Sequence, residues 1–535
     1  MNKTPFFNLQ LDTFKHSWKQ DLISGFILFL IALPLSVGIS LASGAPATAG
    51  ILSAIVGGIL GTLISGGHVM INGPAAGLIV VVLTSVQELG KGNNELGFKL
   101  TLAAIVCAGA IQIVLGLLRL GSLGLAAPAN VIHGMLAAIG VTIITKQIYV
   151  LCGEKAQGNE TFAQILELPA AIPLANLAIL SIGLLTLALI VFLNKKKTGI
   201  LRYLPAPLAA VFLGIFFDKL LDLEHLHTIH FFNRIVEVSD KFLLHVPQQV
   251  SKAFISPDWS AISEPIFWKM VFTICFVASI ESVLSAFAVD KMDPEQRRSN
   301  FNYDLISKGL CNMFLGFIGG LPIITEIVRS SVNIGNGAKT KWANFSHGLF
   351  ILLFVLLAPG ILNLIPLVSF AAVLITVGFR LAHPHQLTHA KEIGWDQLAL
   401  FLVTLLISLK TDLLIGILAG ISLKLFINAI RARAFLSLFQ LKAKEQSVSH
   451  QRTISITGPL VFTNMMKLKT LLDNSTEPKV LVDLTQSPLI DHTAQDLLEN
   501  EKRYFQLDSK ILETRFSPQH SAQGKHRLSV QVLKP

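Results

Sequence analysis

Charge is scarce in this chain. Asp, Glu, Lys and Arg make up only 14% of its 535 residues, while 52% are hydrophobic; a soluble domain carries about 25% charged residues. That shortage, with a mean hydropathy of +0.62, puts the chain in a bilayer. Cysteine is almost absent. Cys107, Cys152, Cys275 and Cys311 lie far apart, mostly in apolar runs, without metal-ligand spacing, so they read as small packing residues and not as a disulfide framework. A Gly-rich phosphate loop, a Ser-His-Asp set and an HExxH motif are all missing, which argues against an enzyme and implies neither cofactor nor metal site. The chain opens without a cleavable leader pattern.

Long apolar runs are present instead. About fourteen segments between Leu22 and Ile430 are candidate spans, some too short to cross fully. The net charge is +10, yet the basic residues sit in alternate loops, as positive-inside topology requires, so nucleic acid is not the expected partner. Lys15 and Lys19, Lys195–Lys197 with Arg202, Arg297 and Arg298, Lys339 and Lys341, Arg380, and Arg431 with Arg433 form the cytoplasmic set. Both termini are then cytoplasmic, in a bacterial-type inner (plasma) membrane.

Six regions follow from these shifts in composition. Residues 1–20 are an amphipathic lead-in and 21–217 a first transmembrane repeat. Residues 218–263 mix charge and His as an extramembrane connection. Residues 264–430 form a second transmembrane repeat, 431–447 a linker, and 448–535 a small soluble α/β domain. Within the last, Arg452–Ile456 and Lys479–Leu484 read as strands, and Thr463–Leu472 and Ala494–Phe505 as helices. Gly50, Gly57, Gly58 and Gly61 in the second span suit close helix packing.

Two apolar segments are broken by Gly and Pro: Asn72–Gly77 in the first repeat and Gly319–Ser330 in the second. Nearly the same interval separates Pro34 from Pro74 as Glu281 from Pro322. Paired broken segments in two halves of a membrane protein mark a transporter's substrate site. Half-helices starting near Ala75 and near Thr325 would aim their positive ends at one cavity and make an anion site. Arg329, expected on the second turn of its half-helix, would add a full charge; alternatively it snorkels to an interface or pairs with Glu326. Glu281 lies deep in a span, where a carboxylate costs at least ~2.5 kcal/mol. With Ser282 and Ser285 it is the candidate for coupling to Na⁺ or H⁺, the alternative being a carboxyl merely buried by packing. Two short His clusters, His225/His227/His230 and His383/His385/His389, have no Cys or carboxylate partners and read as exposed loops.

These residues resemble the SulP inorganic-anion transporter family along nearly the whole chain. The resemblance rests on Asp21–Gly25 with Ala32–Ser36, on Gly44-Ala45-Pro46 to Gly50, and on Gly73-Pro74. It continues through Glu281-Ser282, Gly319–Pro322, Val332–Ile334 and Gly337–Thr340. The tail resembles a short STAS domain through Gly458–Phe462, Val480–Leu484 and Ile490–Ala494, with Thr493 where some such domains are phosphorylated; an unmodified helix-cap role is expected here.

The resemblance implies a polytopic α-helical membrane protein. It has about fourteen segments in a seven-plus-seven inverted repeat, divided into core and gate, with a small STAS-like α/β domain. It implies a secondary transporter, working as a homodimer in the lipid bilayer, for a small inorganic anion of the sulfate or bicarbonate class. Carried over by position, Ser36, Pro74, Ala75, Ala76, Thr325, Glu326, Arg329 and Ser330 bind substrate, and Glu281, Ser282 and Ser285 couple the cation. Ile323–Glu326 departs from the Gly-rich stretch of many members. A carboxylate at Glu326 either compensates Arg329 or joins cation or proton binding. An uncoupled anion channel or exchanger, a dicarboxylate carrier, a nucleobase permease and a STAS-bearing sensor are the competing readings.

Overall fold

The structure, a computed structural model, describes residues 11–121, 124, 127–154, 161–195, 205–231, 234–245, 253–433, 435–448 and 450–533. Residues 1–10 of the expected lead-in, and Lys196, Lys197 and Arg202 of the basic set, lie outside the described residues. The chain divides into two compact units, Met1–Gly124 with Ile139–Leu381, and Leu125–Ala138 with Ala382–Pro535.

The helices, in chain order through the first unit, are α1 (Leu11–Ala42), α2 (Ala47–Ile64), α3 (Ile79–Gly90), α4 (Asn94–Leu117), α5 (Ala129–Leu151), α6 (Thr161–Ala171), α7 (Leu177–Lys195), α8 (Ala206–Leu221), α9 (Pro265–Met292), α10 (Phe301–Ile318), α11 (Ile327–Gly335), α12 (Trp342–Leu357) and α13 (Leu367–Leu381). Four short strands interrupt them: β1 (Asn72–Pro74), β2 (His227–Phe231), β3 (Arg234–Val238) and β4 (Ile323–Thr325). Eight helices among the described residues of the whole chain are long and apolar enough to cross a membrane.

Several boundaries differ from the sequence reading, each for a local reason. Residues 11–20 are the first turns of α1 and not a separate surface segment. Asp21 is buried there. Its carboxylate accepts from the backbone of Lys339 and Thr340 at 2.8 and 3.1 Å and from Thr340 Oγ1 at 2.6 Å, tying α1 to the start of α12. Helix α8 runs on to Leu221, inside the segment read as extramembrane, and ends where Asp222 turns left-handed at φ 49°. Beyond it β2 and β3 form a hairpin that takes up His227 and His230, while His225 Nδ1 lies 2.8 Å from Asp222. Helix α10 starts at Phe301 because Asn300 caps it, which brings Asp304 inside the helix.

The glycines of α2 work as expected. A Cβ on Gly58 would fall 2.5 Å from the Cα of Gly348 on α12, and one on Gly50 would fall 2.0 Å from the carbonyl oxygen of Ser36 on α1. Backbones this close gain dispersion contact that a larger residue would abolish.

The second unit, which includes the first part of α5, continues with α14 (Pro384–Ile393), α15 (Trp395–Lys410) and α16 (Leu413–Ala432), the last capped by Asp412. The α/β domain follows: β5 (Ala443–Val448), β6 (Gln451–Ile456), α17 (Met465–Asp473), β7 (Lys479–Asp483), β8 (Leu489–Ile490), α18 (His492–Leu507), β9 (Ile511–Arg515), β10 (His520–Ala522) and β11 (Gln531–Leu533). Its main sheet has the order β5-β6-β7-β9. The first pair is antiparallel, and β6–β7 and β7–β9 are parallel. Ile454, Val480, Val482, Leu468, Leu497 and Leu498 fill its core.

Three expectations are corrected by this unit. The segment taken as a linker, 431–447, already contains most of β5, whose polar, exposed sequence hides an edge strand. The cap of α18 is Asp491, whose carboxylate accepts from Ala494 N at 2.8 Å; Thr493 sits inside the first turn. His383, His385 and His389 lie at and along α14 and not in a loop, and the His385 and His389 rings stack at 6.1 Å. Among the described residues no group of three His, Cys, Asp or Glu is poised to hold a metal.

Replacing Gly58 with Leu should destabilise the helical unit by about 1–3 kcal/mol through overpacking. The check is thermal unfolding in detergent; an unchanged transition would refute the close α2–α12 approach.

Candidate anion-binding site

The two Gly/Pro breaks meet. Strands β1 and β4 run antiparallel, with Asn72 opposite Thr325, Gly73 opposite Ile324 and Pro74 opposite Ile323. All six residues are buried. Extended backbone inside a membrane protein persists only where its polar groups find partners. Part of that need is met across the pair, and side chains meet more of it. Asn312 Oδ1 accepts from Ile323 N at 2.7 Å, Ser282 Oγ from Thr325 N at 3.2 Å, Asn344 Oδ1 from Asn72 N at 3.2 Å, and Ser330 Oγ from Ile71 N at 2.9 Å. Glu326 N donates to Ile71 O at 2.8 Å.

A helix leaves each strand. A 3₁₀ turn over Ala76–Leu78 leads into α3, and α11 starts at Ile327 with Glu326 flanking it. The start of α11 is later than expected because Ile323–Thr325 is used as strand. Arg329 therefore stands on the first turn, not the second. The opening N–H groups of an α-helix have no intrahelical acceptor, and the helix end carries about half a positive charge.

Arg329 is 1% exposed. Its Nη2 donates to Pro74 O at a long 3.4 Å, and its Nε and Nη1 have no hydrogen-bond partner. The guanidinium lies over Gly73, where a Cβ would come within 2.5 Å of Nη1. Arg329 is therefore not at an interface, and no contact ion pair joins it to Glu326 among the described residues, although the two side chains act on each other electrostatically. A fully buried guanidinium with free N–H groups is a site prepared for an acceptor, and planar oxyanions match its fork.

Glu281 lies on α9 against the other helix start. A Cβ on Gly77 would fall 1.9 Å from Glu281 Oε1, and Oε2 has no partner. The carboxylate thus occupies the positive end of α3, one of the two ends expected to face the anion. Glu326 is also buried and gives α11 no side-chain cap. Two carboxyl groups, Glu326 buried and Glu281 half-buried with its Oε2 enclosed, and the buried Arg329 guanidinium share the region of the crossing.

The remaining expected residues divide. Ala75 is buried and Ala76 half-buried beside Gly77, and Pro74 contributes the carbonyl under Arg329. Ser36 is fully buried on α1, which packs on β1, α3 and α11, and its Oγ has no partner. Ser285 is buried one turn beyond Glu281. Ser330 serves the frame: its hydroxyl donates to Glu326 O at 2.6 Å while accepting from Ile71, leaving no proton for an anion. Ser282 and Thr325 turn away as well, both donating to Asp304 Oδ2, at 3.1 and 3.3 Å.

Sequence reasoning missed Asp304 and Lys308, a fully buried ion pair at 2.6 Å on α10. Opposite charges four residues apart in an apolar run were the available signal. It also missed Asn312 and Asn344, which complete the strand backbone, Asn72, whose Nδ2 is buried without a partner, and His347 on α12, whose ring nitrogens are likewise buried without partners. An isolated Asn or His in a span gives no such signal.

A sequence profile of the sulfate permease family matches residues 18–405. The chain belongs to the sulfate permease family. It is 24% identical over 507 residues to the putative sulfate transporter YvdB of Bacillus subtilis, covering 92% of this chain and 89% of that one. It is 25% identical over 406 residues to the bicarbonate transporter BicA of Picosynechococcus, covering 75% and 68%. Among solved structures, the transmembrane domain of a cyanobacterial BicA matches with a TM-score of 0.63 at 20% identity, over 76% of this chain and 97% of that one. SLC26A9 matches with 0.68 at 16% identity, over 94% and 84%.

This sulfate permease family member is a multi-pass membrane anion transporter and not an enzyme. Its inverted repeats place α1, α2, β1 with α3, α4, α5, α7 and α8 in the first, and α9, α10, β4 with α11, α12, α13, α15 and α16 in the second. The broken segments are the third of each, as the spacing of Pro74 and Pro322 implied.

Gly77→Ala should leave the protein folded but displace the Glu281 carboxylate, because Oε1 lies where the methyl must go. Uptake in proteoliposomes should fall about tenfold, the scale of about 1.4 kcal/mol for moving the carboxyl group off the helix start. Parental uptake would show that the Glu281 position has no functional weight.

Proposed function

We propose that this protein is a secondary active transporter of small inorganic oxyanions, bicarbonate or sulfate, coupled to Na⁺ or H⁺ and working by an elevator-like movement of core against gate. The Arg329 guanidinium carries this reading. It is buried, charged and unpartnered at Nε and Nη1, beside the opening turn of α11. An oxyanion accepting from both nitrogens and from the free N–H groups of that turn would relieve the desolvation of all of them at once. The relatives named as sulfate and bicarbonate transporters support the substrate class.

Charge balance supports coupling. With both carboxyls ionised, Glu281 and Glu326 set two negative charges against one on Arg329. An anion entering that set meets net repulsion unless a cation or proton enters with it. By the same count a singly charged oxyanion is the easier cargo, so bicarbonate stands ahead of sulfate. Glu281 is the coupling group: as carboxylate it holds Na⁺ together with the Ser285 hydroxyl and backbone carbonyls, and as carboxylic acid it carries the proton. An uncoupled channel or exchanger leaves the excess negative charge uncompensated, and a neutral nucleobase gives Arg329 no counter-charge. A homodimer in a bacterial-type plasma membrane with both termini cytoplasmic completes the proposal.

The decisive experiment is uptake of labelled bicarbonate and sulfate into proteoliposomes, with and without Na⁺ and a pH gradient. Arg329→Ala should weaken anion affinity about tenfold to hundredfold, the scale of about 1.5–3 kcal/mol for a hydrogen bond to a charged group. Normal affinity in a folded variant would refute the site. Glu281→Gln should abolish dependence on the coupling ion; a variant that still answers to Na⁺ or pH as the parent does removes Glu281 from the mechanism.

A further inference from the structure

Behind the site lies a charged pair that the transport reading does not use. Asp304 and Lys308 stand one turn apart on α10, both side chains wholly inaccessible, with Nζ 2.6 Å from Oδ1. An apolar pair in the same place would cost less desolvation. The second carboxylate oxygen gives the pair a purpose. Asp304 Oδ2 accepts from Ser282 Oγ on α9 at 3.1 Å and from Thr325 Oγ1 on β4 at 3.3 Å. Ser282 Oγ in turn accepts from Thr325 N at 3.2 Å. One oxygen therefore joins three elements: α10, α9 and β4.

The positions of those hydroxyls matter. Ser282 directly follows Glu281, and Thr325 directly precedes Glu326. Neighbouring side chains point to opposite faces of a strand and about 100° apart around a helix. The clamp thus grips the backs of the two segments whose next residues carry the carboxylates of the site. It uses both oxygens of Asp304 as acceptors, Oδ1 toward Lys308 Nζ and Oδ2 toward the two hydroxyls, and the Lys308 contact fixes the orientation of the carboxyl group.

We propose that Asp304, anchored by Lys308, is a positioning residue that locks α9 to β4, so that the Glu281 coupling site and the substrate strand move as one body. This rests on the reading of Glu281 as the coupling group. Loss of the clamp would let cation binding at α9 slip relative to β4 while leaving Arg329 and its backbone frame in place.

The test measures anion KM and the half-activating concentration of the coupling cation separately, in proteoliposomes. The variants are Asp304→Asn with Lys308→Met, which keeps the buried site neutral, and Thr325→Val, a near-isostere that removes one clamp hydroxyl without burying a charge. Both should keep anion KM within about twofold and raise the cation requirement about tenfold or more, a loss of about 1.4 kcal/mol. Thr325→Val decides the matter if the double variant does not fold. A parental cation requirement in a folded variant overturns the clamp. So does a rise of both constants in step, which is what general structural damage would give. A parent whose uptake needs no cation refutes the coupling reading and the clamp with it, whereas a coupled parent with unaltered variants refutes the clamp alone.

Discussion

Backbone satisfaction at the crossing of β1 and β4 is the constraint around which the helical unit is built. Two three-residue strands inside a membrane protein cannot rely on water for their N–H and C=O groups. Pairing with each other meets part of the need, and Asn312, Ser282, Asn344 and Ser330 meet more of it with side chains from α10, α9, α12 and α11. Each contributing helix is thereby held to the centre. The close glycine contacts of α2 serve the same end, because Gly57 lets α2 approach the carbonyl of Asn72.

The broken backbone also explains why charge can be placed here. Extended residues followed by helix starts leave N–H groups directed at a common region. Glu281 already occupies the start of α3, and Arg329 rises from the start of α11. Charge of both signs is buried together, with unpartnered atoms on both Glu281 and Arg329. In the proposed function, a ligand or ion completes these groups in the working cycle. On that same proposal, the balance between one guanidinium and two carboxyl groups connects substrate choice with coupling: the anion and its co-ion become two parts of one electrostatic problem.

Much of this was legible in the residues. Apolar runs, the two breaks and their nearly equal offsets from Pro34 and Glu281 pointed to the repeat architecture, and Arg329 and Glu281 stood out as charges in apolar surroundings. The failures were of two kinds. Arg329 was displaced by a turn because Ile323-Ile324-Thr325 reads equally well as helix or strand, and only its partner Asn72-Gly73-Pro74 makes it a strand. Ser330 and Ser282 looked like ligands because a hydroxyl's chemistry is visible in sequence while the destination of its single proton is not. Residues 443–447 looked like linker because an exposed edge strand carries no apolar alternation.

By itself, the sequence determined that the chain is a membrane protein with two related halves, a broken segment in each, and buried charge near both breaks. Composition and periodicity report the solvent each segment faces, and the bilayer imposes that rule strongly. The tertiary structure alone decided that the breaks pair in antiparallel register, that Glu281 takes the end of α3, that Arg329 keeps free N–H groups, and that Asp304 ties Ser282 to Thr325. These are contacts between residues up to hundreds of positions apart. Direction and distance between such groups arise only when the helices pack, and no local pattern encodes them.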